Sequence, residues 1–198
     1  MSTVFVKTYK GSDYDKKEIL HYMYVGSSVD DVSLFELIDE CISECEKSDA
    51  FSFRVCYAII GMESFYECFG KRDEFVKKLD GCCDVCIFNA TIGIGIDRLI
   101  KKYSVLSPAK SLVLQAIGAE RVEMLCDKFC NDLCGDVGGY ITERFSPGYS
   151  GISLEMQKLI FGFLDCARNI GVTLCNSMIM SPTKSVTAFV GIKRKGNK

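Results

Sequence analysis

Histidine occurs once in the 198 residues, at position 21, and proline three times, at 108, 147 and 182. With one histidine, no Ser/His/Asp or Cys/His set can be assembled for nucleophilic catalysis. An excess of either charge is missing as well, since 24 basic and 26 acidic side chains leave a formal net charge of -2. A nucleic-acid binder carries a basic face or stripe. Here basic residues gather only at Lys193, Arg194, Lys195 and Lys198, which reads as a solvated tail, so nucleic acid is set aside. Nor is there an apolar run near the ~18 residues that suggest a membrane span. The opening MSTVFVKTYKGSDYDKK lacks the apolar core of an export signal. The expectation is a cytoplasmic protein whose twelve cysteines stay as thiols.

What is present suffices for one core. Hydrophobic residues make up 48% and charged residues 25%, with no repeat, low-complexity run or linker, so a single domain over 1–198 is expected. Residues 1–30 read as a strand and a short helix around KKEILHYMY. Ser33 and Glu36 are spaced as a capping box, and a helix over 34–46 should bury Leu37, Ile38, Cys41, Ile42 and Cys45. Phe51, Phe53, Val55, Tyr57 and Ile59 alternate with the period of a strand, and 83–93 reads likewise. After a helix at 96–103, Ser107 and Pro108 supply an N-cap and a first-turn proline. The longest helix follows over 108–134, ending at Gly135, with Leu112, Ala116, Ala119, Val122, Cys126, Phe129 and Leu133 on its apolar stripe. Gly118 inside it costs about 1 kcal/mol relative to alanine. A strand at 138–145, a helix over 154–169 stopped by Gly171, and a β-hairpin pairing 172–180 with 184–192 around Pro182 complete the reading. Strands and helices without regular βαβ alternation predict an α+β fold, a twisted, largely antiparallel central sheet flanked by helices.

Chemistry concentrates in Arg144-Phe145-Ser146-Pro147-Gly148-Tyr149. An arginine fork suits a carboxylate, glycine allows close approach, and tyrosine offers a flat apolar face to an aromatic base. Taken alone, the same string is an ordinary surface turn. The cysteines point to packing. Cys126, Cys130 and Cys134 recur on one helix over ~12 Å of rise, too spread to wrap one cluster, and read as small buried hydrophobes. Cys82, Cys83 and Cys86 contain one C-x2-C with no second pair at metal-ligand spacing. Gly93-Ile94-Gly95 falls short of a dinucleotide fingerprint, because Arg98 stands where the third glycine belongs. His21 reads as a surface or half-buried helix residue.

Arg144, Pro147, Gly148 and Tyr149 match the Arg-x-x-Pro-Gly-Tyr motif of the activation domain of cobalamin-dependent methionine synthase. The chain resembles that family, including its free-standing single-domain forms, onward through SGISLEMQKLIFGFLD (150–165) and NIGVTLCNSMIMSPTKSVTAFVGI (169–192). Upstream, AIGAERVE (116–123) resembles the family's glycine-containing helix, whose acidic residue falls on Glu123. The resemblance is strongest over 80–192. It implies contacts to S-adenosylmethionine in a shallow groove from Arg144, Ser146, Pro147, Gly148, Tyr149 and Glu123. Independently of it, Glu123 lies at the edge of an apolar stripe, where a half-buried carboxylate needs a partner: a sulfonium, a ribose hydroxyl or a neighbouring basic side chain. The aspartate that the long enzymes contribute from their N-terminal segment has no placed counterpart.

The resemblance further implies reductive methylation, in which cob(II)alamin takes one electron and the resulting cob(I)alamin takes the methyl group of S-adenosylmethionine. These residues contain no cobalamin-binding module and no Asp-x-His-x-x-Gly signature, so cobalamin is expected on a partner. That partner would be methionine synthase or another corrinoid methyltransferase, served by a flavodoxin-like electron donor. The chain's task is then to position a methyl group in line, without an acid or base. A mostly uncharged rim of Phe145, Ser146, Ser150 and Ile152 should admit the corrinoid face. Two other functions compete: a non-catalytic S-adenosylmethionine sensor or docking protein, and an iron-sulfur activator using the cysteines.

Overall fold

The computed structural model describes residues 3–11, 13–25, 31–149 and 151–194. Its central sheet holds β1 (Phe5–Thr8), β2 (Arg54–Gly61), β3 (Asp84–Thr91), β4 (Tyr140–Ile141) and β7 (Ser185–Lys193), in the order β1-β2-β3-β7-β4. Every neighbouring pair is antiparallel. β5 (Thr173–Leu174) and β6 (Met180–Ser181) pair separately.

Along β3 every residue from Val85 to Thr91 is fully buried. Successive side chains point to opposite faces, so both faces of the sheet are covered. On the first, Val55, Cys86, Phe88, Ala90, Ala188 and Val190 share a core with helix α6 (Pro108–Val137), against which α1 (Lys16–Tyr22), α2 (Val32–Lys47) and α5 (Gly95–Leu106) are packed. On the second, Cys56, Ala58, Val85, Ile87 and Phe189 meet α3 (Met62–Phe69), α4 (Asp73–Lys78), α7 (Met156–Leu164) and α8 (Cys166–Ile170). The α+β fold is therefore a three-layered one with two cores.

Several local expectations are corrected. Helix α2 is capped by Asp31, whose carboxylate accepts from the Ser33 and Leu34 amides and from the Ser33 hydroxyl. A carboxylate two residues upstream outcompetes the Ser33 box, and those hydrogen bonds hold Asp31 below the usual carboxylate range. In β2 the other alternating set, Cys56, Ala58 and Ile60, is buried as well, and Ile59 is 36% exposed. α3 and α4 were unread, being short and separated by Gly70 at φ 82°. α6 runs through Gly135 to a left-handed stop at Gly138, and Leu112 is exposed. The helix expected over 154–169 breaks at Asp165, at φ 45°, and Leu159 faces solvent. The hairpin around Pro182 does not form. β7 is buried on both faces and takes β3 and β4 as partners, leaving β6 to pair with β5.

α6 starts as read, with the Ser107 hydroxyl accepting from the Lys110 amide and Pro108 in the first turn. Gly118 lies beneath the Lys184 stem, where an added Cβ would stand 3.0 Å from Lys184 Cε. Of the basic tail, Arg194 pairs with Asp84 at 2.7 Å, and Lys195 and Lys198 lie outside the described residues.

Candidate functional site

The outward face of α6 forms the floor of an open cleft of about 990 Å³. The segment between β1 and α1 contributes Lys10, Gly11, Asp13 and Asp15, and α1 contributes Glu18 and Tyr22. From α6 come Glu120, Glu123, Met124, Asp127, Lys128 and Asn131, and Arg144 completes the lining. Carboxylates thus outnumber basic side chains two to one around the lining.

Arg144 and Phe145, consecutive residues a short way past β4, send their side chains to opposite sides of the sheet. Phe145 is drawn into the second core by a two-way backbone bridge with Phe189, at 3.0 and 2.9 Å. Arg144 turns towards α6. There Nη1 donates to Asp127 Oδ1 at 2.5 Å and Nη2 to Glu123 Oε2. Glu123 and Asp127 stand four residues apart on one helix face, the spacing that stacks two side chains. Burial pulls the Arg144 pKa down, but the charges of Cys126, Glu123 and Asp127 and the hydrogen bond to Asp127 more than offset this and leave it raised. Burial, with Glu123 close by, pushes the Tyr22 phenol up.

The structure therefore joins Arg144 and Glu123 directly. Glu123, half-buried as expected, has taken a neighbouring basic side chain as its partner, and that side chain is Arg144 itself. Ser146, Pro147, Gly148 and Tyr149 form a tight turn next along the chain, outside the cleft lining. In it the Gly148 amide donates to the Ile152 carbonyl at 2.8 Å, the Tyr149 amide to the Ser146 carbonyl at 3.2 Å, and Gly148 takes φ 90°. Tyr149 is 72% exposed. The rim reading is corrected for Phe145 and Ile152, which are buried core residues. Ser150 lies outside the described residues.

The N-terminal contribution was missed. Asp13 and Asp15 reach α6 across more than 100 positions of sequence, and only the role of Asp15 as the α1 cap carries a local signal. Also missed was Glu120 with Arg121, a buried ion pair beneath that segment. Of the cysteines, Cys86 and Cys126 are core residues, and Cys130 and Cys134 are half-buried on α6. His21 is exposed on α1. Among the described residues no helix is long and apolar enough to cross a membrane.

Two comparisons meet this chain. The family model for the vitamin B12 dependent methionine synthase, activation domain, matches residues 131–197. Thirteen chains of solved structures match. One of them, the crystal structure of the MetH reactivation domain bound to AdoHcy, superposes with a TM-score of 0.72 and 13% identity, covering 100% of this chain and 80% of that chain. At that identity the likeness is one of fold. Among curated proteins none matches the sequence. The resemblance read from the sequence is borne out, in sequence over 131–197, which holds Arg144 and the Pro147-Gly148-Tyr149 turn, and in fold over the whole chain.

Proposed function

We propose that the cleft between α6, α1 and residues 10–11 and 13–15 binds S-adenosylmethionine and presents its methyl group to cobalamin carried by a partner corrinoid methyltransferase, such as cobalamin-dependent methionine synthase. The observation that carries this reading is Arg144, held between Glu123 and Asp127 in a carboxylate-rich cleft, in a chain with the fold of a reactivation domain. The ligand bears an ammonium, a sulfonium and one carboxylate. Such a molecule fits a lining where acidic side chains predominate and a few basic ones interrupt them. Arg144, Glu123, Asp13 and Asp15 would hold its charged end, and Tyr149 and the Gly148 backbone would lie along its apolar part. AdoHcy, the ligand named for the structural neighbour, is what S-adenosylmethionine becomes when its methyl group leaves.

Bound S-adenosylmethionine supplies an electrophilic methyl group on sulfur. This chain's residues supply position and charge, because aligning two reactants is worth several kcal/mol by itself. A ligand carboxylate reaching Arg144 meets a guanidinium already shared with Glu123 and Asp127, so the three groups respond to the ligand as one unit.

The test is anaerobic spectroscopy of a cob(II)alamin-loaded methyltransferase with a low-potential electron donor, of flavodoxin type, and S-adenosylmethionine. Methylcobalamin should form faster with this chain than without it, and Arg144→Ala should abolish the difference. No acceleration on any corrinoid methyltransferase, despite ligand binding, contradicts methyl transfer and favours the sensor.

A further inference from the structure

Between β1 and α1 the chain crosses the outer face of α6, and two adjacent α6 side chains hold it there. Glu120 and Arg121 form an ion pair with side chains only 5% and 1% exposed. Arg121 Nε donates to Glu120 Oε2 at 2.5 Å, and its Nη2 donates to both Glu120 Oε1 and the Asp13 carbonyl. From the strap, the Asp15 amide donates to Glu120 Oε1 at 3.4 Å. The Tyr14 ring lies 4.3 Å from the Arg121 guanidinium. Asp13, Tyr14 and Asp15 are thus all tied to one buried pair.

Such a pair contributes little net stability compared with an apolar replacement. Arg121 Nη1 is in fact buried with no hydrogen-bond partner. What the pair does provide is a fixed place for the backbone it grips. Asp13 and Asp15 line the cleft, as does Glu120 itself, so that fixed place is one wall of the site.

We propose that Glu120 and Arg121 are positioning residues, a latch that holds residues 13–15 against α6 as a wall of the S-adenosylmethionine cleft. The proposal rests on the ligand reading above. With the latch open, the carboxylates of Asp13 and Asp15 leave the cleft while Arg144 and Glu123 stay in place.

The experiment uses the whole chain and two variants. Arg121→Lys keeps the charge facing Glu120 but lacks the fork that also reaches the Asp13 carbonyl. Glu120→Gln with Arg121→Met removes both charges together, leaving neither unpaired. Hydrogen exchange is read without ligand, and S-adenosylmethionine affinity by calorimetry. In either variant, amides of residues 10–15 should exchange about tenfold faster while those of β3 keep their protection, a local change that a general loss of stability would not produce. The dissociation constant should rise about tenfold, as expected when a preorganised wall is lost. If the double variant fails to fold, Arg121→Lys decides. Unchanged exchange at 10–15 overturns the latch. So does faster exchange with unchanged affinity, because the strap is then no wall. If the wild type binds no S-adenosylmethionine, the ligand reading fails, and exchange alone decides whether Glu120 and Arg121 hold the strap.

Discussion

Arg144 should matter far more for binding than for folding. Its removal leaves Glu123, 38% exposed, and Asp127, 69% exposed, as like charges one turn apart in contact with water. That repulsion is worth about 0.2–0.5 kcal/mol. A charge-assisted hydrogen bond to a ligand is worth about 1.5–3 kcal/mol. Arg144→Ala should therefore leave the urea midpoint nearly unchanged while weakening S-adenosylmethionine by the larger amount. A stability loss equal to the affinity loss would make Arg144 a structural residue. Arg144→Lys should restore little, since a point charge cannot replace a fork that serves two carboxylates. At this scale the sequence was readable where a motif or an amphipathic edge marked the residue, as for Arg144 and Glu123. Asp127 gave no sign, because a carboxylate on the polar side of a helix looks like any solvated one until the chain returns with an arginine.

Among the elements, α6 organises both the core and the site, and Gly118 shows why a helix tolerates a poor helix former. Alanine there would gain about 1 kcal/mol of helical preference, but its Cβ would stand 3.0–3.2 Å from three carbons of the Lys184 stem. The two effects oppose each other. Gly118→Ala should therefore stabilise the chain by at least about 0.5 kcal/mol more in a Lys184→Ala background than in the wild type, a coupling expected of side chains in contact. Equal effects in the two backgrounds would mean that Lys184 does not crowd Gly118. Strand periodicity located β2, β3 and β7 but could not name their partners. For β7 the nearest strand in sequence was taken as its neighbour, whereas a segment buried on both faces needs a ladder on each edge. α3 and α4 were too short for their period to stand out.

For the whole molecule, the core between the sheet and α6 closes on thiols, Cys41, Cys45, Cys86 and Cys126, that do not titrate in their normal range. Burial pushes Cys41 up to about 11 and Cys45 up to about 12, and raises Cys86 and Cys126 as well. An unfolded thiol ionises near pH ~8.5. The folded chain thus keeps protons that the unfolded chain releases, so this stability is intact below the unfolded value and is lost as pH rises towards the folded ones. The thermal midpoint should fall on going from pH 8 to pH 11, and Cys45→Ala should make that fall shallower. An unchanged slope would remove Cys45 from the account. The fold class was legible because apolar period and turn chemistry are local. The cleft was only half legible, because Asp13, Asp15 and the Glu120–Arg121 pair meet through long-range packing that no local pattern encodes. The central claim is that this cleft takes a cationic S-adenosyl ligand, and calorimetric titration of S-adenosylmethionine into the chain tests it most directly. One molecule should bind per chain, AdoHcy should compete for the same site, and Arg144→Ala should weaken the binding about tenfold or more. No heat of binding, or equal affinity in wild type and variant, would contradict it.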